Sequence, residues 1–210
     1  WHLVLKVVRR DPTCEQLFPD PSNSLGDIEK LRRSLFPLWG ETIEKGKRAY
    51  SANYVLNRIQ DAQERIFPRT IMQLLQHSLR TEMETGSDVR SDRLLRYPSI
   101  RAGIEEASRK RVKDLTDEYL ELREYLEAMK GADPTSSVSE FVVHLQQSIS
   151  VGRRKLIGHG QYLESTILPQ LEEVGVLKVI HADDKKSEDK ILVARLYRDG
   201  LGMKNTKGLR

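Results

Sequence analysis

The chain has 210 residues, 38% of them apolar and 31% charged, a balance that suits a soluble protein rich in helix surface. Its 35 basic and 31 acidic side chains leave a net charge of +4, too small and too evenly mixed to announce a nucleic-acid or membrane partner. One cysteine, Cys14, excludes an intramolecular disulfide framework and a multi-cysteine metal knot. No apolar run approaches the roughly 20 residues of a membrane helix, and no signal peptide heads the chain, so a cytoplasmic setting is expected. The sequence opens on Trp1 and an apolar stretch, Leu3 to Val8, and reads as a piece of a longer protein.

In chain order, residues 1–10 suit either a strand end or a helix tail, because the stretch is too short for periodicity to decide. A Pro-rich loop follows at Phe18-Pro19-Asp20-Pro21. Ser24, three residues before Asp27, predicts a cap for a helix with Leu25, Ile28, Leu31 and Leu35 inward, stopping near Pro37. Ser51 is expected to cap a helix carrying Tyr54, Val55, Ile59 and Ala62. Pro68 suits the first position of the next helix, with Ile71, Leu74, Leu75 and Leu79 on its inner face. A short helix over Ser99–Ala107 precedes a stripe of Val112, Leu115, Tyr119, Leu122, Leu126 and Met129, which Gly131 closes as a left-handed cap. Ser137-Val138-Ser139-Glu140 is a capping box ahead of Phe141, Val142, Leu145 and Ile149. Strands are therefore expected only in the last forty residues or the first ten.

The last sixty residues change character. Tyr162, Leu163, Ile167, Leu168, Leu171 and Val174 form an amphipathic helix closed by Gly175, and Pro169 predicts a kink or restart inside it. Two strands follow, at 176–180 and 191–197, with a charged turn over 183–189 between them. Helix, helix, Gly, strand, charged turn, strand is the order of a winged helix-turn-helix.

Self-contained chemistry is not visible. The stretch Gly40 to Arg48 nearly matches a phosphate-binding loop, but its glycines are six apart instead of five. Arg48 also stands where a Ser or Thr would reach Mg²⁺, and no strand precedes the loop, so it reads as an ordinary one. The five histidines never fall at metal-ligand spacing, and Cys14 has no histidine near it, so neither a metal site nor a catalytic thiol is expected. The segment Arg65-Ile66-Phe67-Pro68-Arg69-Thr70 stands out instead. Proline in the first turn with arginine beside it can present free amides, a helix dipole and a planar cation to one phosphate. The competing reading is a solvated first-turn arginine, which position alone favours because a cation there gains nothing from the dipole. In the tail, Arg153, Arg154, Lys155, Lys185 and Lys186 offer a basic face for nucleic acid. Acidic residues such as Glu172, Glu173, Asp183 and Asp184 dilute it, which tilts the balance toward a protein contact.

The text from Arg65 to Leu75, RIFPRTIMQLL, resembles the lid helix of AAA+ and related P-loop ATPases of the bacterial STAND type. The preceding Ser51–Glu64 helix and the closing LYRDGLGMK at Leu196–Lys204 are similar to the C-terminal half of large bacterial ATPases. The resemblance implies that Arg69 contacts the γ-phosphate of ATP held mainly by an upstream domain, and that a winged-helix tail follows. Walker A, Walker B and sensor-1 segments are missing, so the piece is not expected to hydrolyse ATP unaided. The expected fold is mainly α: a linker or strand end at 1–23, a helical lid-like domain at 24–95, a helical connector at 96–150 and a winged-helix-like α+β unit at 151–210. The expected function is the nucleotide-sensing and effector region of a larger P-loop ATPase. Its partners would be the upstream ATPase domain, a second copy of the chain, and a protein effector or DNA, without any membrane. Two rivals stand beside it: a stand-alone winged-helix nucleic-acid-binding regulator and a helical protein-interaction scaffold.

Overall fold

Capped three- and four-spaced stripes dominate the sequence, and the fold is accordingly mainly helical with one small antiparallel sheet. The computed structural model describes residues 1–18, 20, 22, 26–43, 50–86, 93–149, 160–182 and 188–204. The chain divides into two compact units, one of Trp1–Ile59 with Phe67–Ala107 and one of Gln60–Ile66 with Ser108–Arg210. These boundaries differ from the expected division into 1–23, 24–95, 96–150 and 151–210. Val4, Leu5 and Phe18 are buried in the core of the first unit.

The first unit gathers α1 (His2–Val8), α2 (Pro12–Glu15), α3 (Ile28–Arg33), α4 (Phe36–Trp39), α5 (Ser51–Ile59), α6 (Pro68–Glu84) and the beginning of α7 (Tyr97–Glu118). Its core is built from Leu35, Leu38, Trp39, Val55, Ile59, Leu74, Ile100 and Ile104, with the Trp1 ring edge-on to Trp39 at 5.2 Å. The opening stretch is thus helix, not strand. Asp27 caps α3 by accepting from the Lys30 amide, while the expected cap Ser24 lies outside the described residues. Ile28 is exposed rather than inward. Ser51 does not cap α5 through its side chain; its hydroxyl is buried and donates to the Trp39 carbonyl at 3.1 Å. Leu79 is exposed and Ser78 takes the inward position, because Gly103 of α7 comes too close there for anything larger.

The second unit begins within α7. No proline or glycine interrupts the sequence between Ala107 and Val112, so the two helices expected there are one of 22 residues. It breaks at Tyr119, whose φ of −121° and ψ of 78° open a 3₁₀ turn, Leu120–Leu122, ahead of α8 (Arg123–Ala128). Gly131 follows at φ +74°, the left-handed conformation that its place at the helix end predicts. Next come β1 (Thr135–Ser137), α9 (Val138–Ser148), α10 (Gly160–Tyr162), a π-helical turn (Leu163–Ile167), α11 (Leu168–Glu173), β2 (Leu177–Ile180), β3 (Lys190–Val193) and α12 (Arg195–Arg198). The sheet order is β1-β3-β2, antiparallel throughout, with Ser136 opposite Ile191 and Lys178 opposite Leu192. Helix, strand, two helices and a two-stranded hairpin give a winged-helix-like unit, wider than expected because β1 joins it from outside the predicted strand regions. The expected irregularity at Pro169 takes the form of the π-helical turn just before it. A proline amide cannot bond to the preceding turn, and a widened turn accommodates the loss. The second expected strand is shorter than its apolar run, since Ala194 turns the backbone into α12.

Candidate functional site

Arg69 stands at the second position of α6, exposed, one residue after Pro68 and two after the N-cap Phe67. Phe67 supplies no side-chain cap. The Thr70 and Ile71 amides both donate to the Phe67 carbonyl, at 3.0 and 3.3 Å, and Pro68 has no amide to give. The first turn therefore presents fewer amides to an anion than an ordinary uncapped helix end. Arg69 is exposed at this end of the helix.

The loop from Gly40 has the opposite polarity to a phosphate cradle. Arg93 Nη1 donates to the Trp39 and Thr42 carbonyls at 3.2 and 2.8 Å, so the loop turns oxygens toward a cation. Gly40 lies at φ +75° and ψ 168°, a backbone conformation that favours glycine whatever the space around it. The ordinary-loop reading fits this end; residues 44–49 lie outside the described residues.

In the winged-helix-like unit, α9 is held by the capping box expected from its sequence. Glu140 N donates to Ser137 Oγ at 3.3 Å, and Ser137 N donates to Glu140 Oε2 at 3.1 Å. The second helical stretch buries Leu163, Ile167, Leu168 and Leu171 and exposes Gln161, Tyr162, Glu164, Ser165, Pro169 and Glu173. Neither α9 nor the run from Gly160 to Glu173 contains a lysine or arginine. The hairpin closes where His181 Nδ1 meets Asp189 Oδ2 at 2.7 Å and Ala182 N donates to Asp189 Oδ1 at 3.0 Å. The Ala182 amide first, and then the His181 ring, hold the Asp189 carboxyl below the usual range. The expected basic residues Arg153, Arg154, Lys155, Lys185 and Lys186 all lie outside the described residues.

A further constellation was not visible in the sequence. Asp61 is buried, with no exposed side-chain surface, and its carboxylate gathers three donors. Oδ1 accepts from the Gln63 and Arg65 amides at 2.9 and 2.8 Å, and Oδ2 accepts from Arg65 Nε at 2.6 Å. Gln60 and Ile66 pair across the base of this loop, and Glu64 adopts φ +61° at its tip. Gly175, at φ +80°, lies against Asp61, and a Cβ there would overlap Asp61 Oδ2. Asp61 and Gly175 stand far apart in sequence and belong to no motif, so no local signal could have paired them.

Among the described residues, no group of three or more histidine, cysteine, aspartate or glutamate side chains could hold a metal ion. None of the described helices is long and apolar enough to cross a membrane. No family model, curated protein or solved structure matches the chain.

Proposed function

We propose that this chain is a regulatory region of a larger P-loop ATPase, without an active site of its own, and that its winged-helix-like unit docks a protein. The observation that carries the docking reading is the absence of lysine and arginine from α9 and from residues 160–173. A helix pair that reads nucleic acid needs cations to neutralise phosphates and release counterions. Here the second helical stretch exposes Glu164 and Glu173 beside Tyr162 and Pro169, a face that repels phosphate and suits a basic or mixed protein surface. The ATPase reading rests on the resemblance around Pro68-Arg69. It is supported by the place of Arg69, an exposed residue at the second position of a 17-residue helix, from which an arginine side chain could meet a phosphate held by another domain.

The nucleic-acid alternative draws on Arg153, Arg154, Lys155, Lys185 and Lys186, which flank the helix pair in sequence. Titration of a labelled DNA duplex with the full chain at low and moderate salt separates the two. The docking reading expects weak retention that does not change when Arg153 and Arg154 are both replaced by Glu. Tight binding that falls steeply with salt and is lost in the double variant would establish the nucleic-acid regulator instead.

A further inference from the structure

The sheet of the second unit has β3 in its middle and β1 and β2 at its two edges. An edge strand offers backbone amides and carbonyls to any further strand, and a sheet that is not to grow has to close them. The phase of the pairing identifies which groups are at issue. The Ala194 amide donates to the Val176 carbonyl at 2.9 Å, and bonded pairs alternate along an antiparallel ladder. Lys178 and Ile180 therefore exchange bonds with Leu192 and Lys190, while Val179 turns its amide and carbonyl away from β3. By the same alternation, fixed by the Val193 amide on the Pro134 carbonyl, Thr135 and Ser137 of β1 point outward.

These three outward amides are each held by a carboxylate of the chain itself. Thr135 N donates to Asp133 Oδ1 at 2.9 Å and Ser137 N to Glu140 Oε2 at 3.1 Å, across two and three residues. Those closures belong to a tight turn and a capping box, and they cannot open without undoing both. Val179 N donates to Glu172 Oε1 at 3.1 Å, across seven residues and from a different element, α11. This closure is one flexible side chain, which can withdraw while α11 and β2 stay as they are. It also leaves the Val179 carbonyl untouched, because a carboxylate only accepts. Beside it on β2, Lys178 and Ile180 are exposed, Ile180 at 45%.

We infer that Glu172 is a latch on the β2 edge, and that with the latch withdrawn this edge pairs with the β2 edge of a second copy of the chain. A strand paired antiparallel with itself is related by a two-fold axis, so one edge serves both copies. The side chains choose the register. Centred on Val179, the pair lets each Val179 amide donate to the carbonyl of the other and sets Lys178 of each copy opposite Ile180 of the other. Centred on Lys178, it would bring two ammonium groups together, which is destabilising. In the first register the alkyl stem of Lys178 covers an exposed isoleucine while its charge stays in water. The exchange replaces two amide-to-carboxylate bonds with two amide-to-carbonyl bonds. Hydrogen bonds to a charged acceptor are the stronger kind, so the latch holds the edge closed and its loss releases it.

Sedimentation equilibrium of the full chain reads the association, and it involves neither nucleotide nor DNA. Glu172→Ala should self-associate about tenfold more tightly than wild type, or better. Glu127→Ala, which removes an exposed glutamate elsewhere in the same unit, should not. Adding Val179→Pro to Glu172→Ala removes the edge amide without touching the ladder to β3, and should return the association constant to the wild-type value. Should the proline variant not fold, Ile180→Thr removes the apolar partner of Lys178, keeps a strand-forming residue and should weaken the association in the same sense. Should Glu172→Ala not fold, Glu172→Asp withdraws the carboxylate by one methylene and takes its place. Amide exchange locates the contact: in Glu172→Ala the Val179 amide should exchange faster than in wild type at low protein concentration and slower at high. No gain in association in Glu172→Ala, an equal gain in Glu127→Ala, a gain that survives the second change, or exchange at Val179 that is independent of concentration would overturn the latch.

Discussion

Gly103 of α7 lies against Ser78 of α6 so closely that a Cβ at position 103 would overlap the serine hydroxyl and come within 2.5 Å of the Leu74 carbonyl. Two helices therefore touch through a serine and a bare backbone, and Ser78 Oγ is buried without a hydrogen-bond partner among the described residues. Glycine inside a helix costs about 1 kcal/mol relative to alanine, so the close approach must return more than that in packing.

Gly103→Ala should accordingly destabilise the chain by about 2 kcal/mol, despite the better helix propensity of alanine. Ser78→Ala alone should be close to neutral, because the hydroxyl it removes forms no bond. The pair should recover only part of the loss, since the Leu74 carbonyl still opposes the new methyl. Urea unfolding of the three variants checks this. A Gly103→Ala protein as stable as wild type would mean that the helices are free to separate there.

The Ser137–Glu140 capping box gives a second expectation. Ser137→Ala removes the acceptor for the Glu140 amide and should cost about 1 kcal/mol. Glu140→Ala leaves Ser137 Oγ in place and should cost less than Ser137→Ala. A shift of the urea midpoint in the reverse order would contradict the reciprocal pair.

Signals confined to a few neighbouring residues were legible in the sequence, and signals set by packing were not. The box at Ser137–Glu140, the left-handed turn at Gly131, the helix end at Gly175 and the irregularity before Pro169 all follow from local backbone chemistry. Strand β1 was missed because Thr135-Ser136-Ser137 has no apolar alternation; its partner Ile191 supplies the pairing. Spacing alone puts Leu79 inward, whereas the glycine on the facing helix decides that Ser78 goes in. The Asp61–Gly175 contact joins two stretches whose proximity only the fold creates. Of the candidate site residues, Arg69 is where the proline-first helix puts it, exposed at the second position, and nothing local could say what it faces.

Acid should loosen the hairpin at a defined point. The Ala182 amide and the His181 ring hold the Asp189 carboxyl below its ordinary range, so the native state favours the ionised form. A depressed carboxyl contributes stability above its unfolded pKa and loses that contribution as pH falls through the folded value. The Ala182 amide resonance should therefore respond to acid with a midpoint below that of an ordinary aspartate. The response should vanish in Asp189→Asn. A midpoint at the ordinary carboxylate value would show that the two hydrogen bonds do not discriminate between the protonation states.

Arg69 gives the sharpest test of the proposed function. If the chain belongs to an ATPase as proposed, Arg69→Ala in that longer protein should lower ATP turnover while leaving the fold intact. A guanidinium aimed at a γ-phosphate in a closed, poorly hydrated site makes charge-assisted hydrogen bonds that alanine cannot replace. Loss of such a donor typically costs on the order of 3 kcal/mol, or about a hundredfold in rate. Arg69→Lys is the informative control, because it keeps the charge and loses the planar fork; it should restore only part of the rate. The fold should survive either change, since Arg69 is exposed and contributes nothing to the buried core of its unit. On the competing reading Arg69 is a surface residue of the first turn, and its removal shifts stability by under about 0.5 kcal/mol with no effect on turnover. Steady-state ATPase rates measured beside the melting temperature decide between them. Unchanged turnover at an unchanged melting temperature would return Arg69 to the helix surface and leave the docking face of the winged-helix-like unit to be tested by itself.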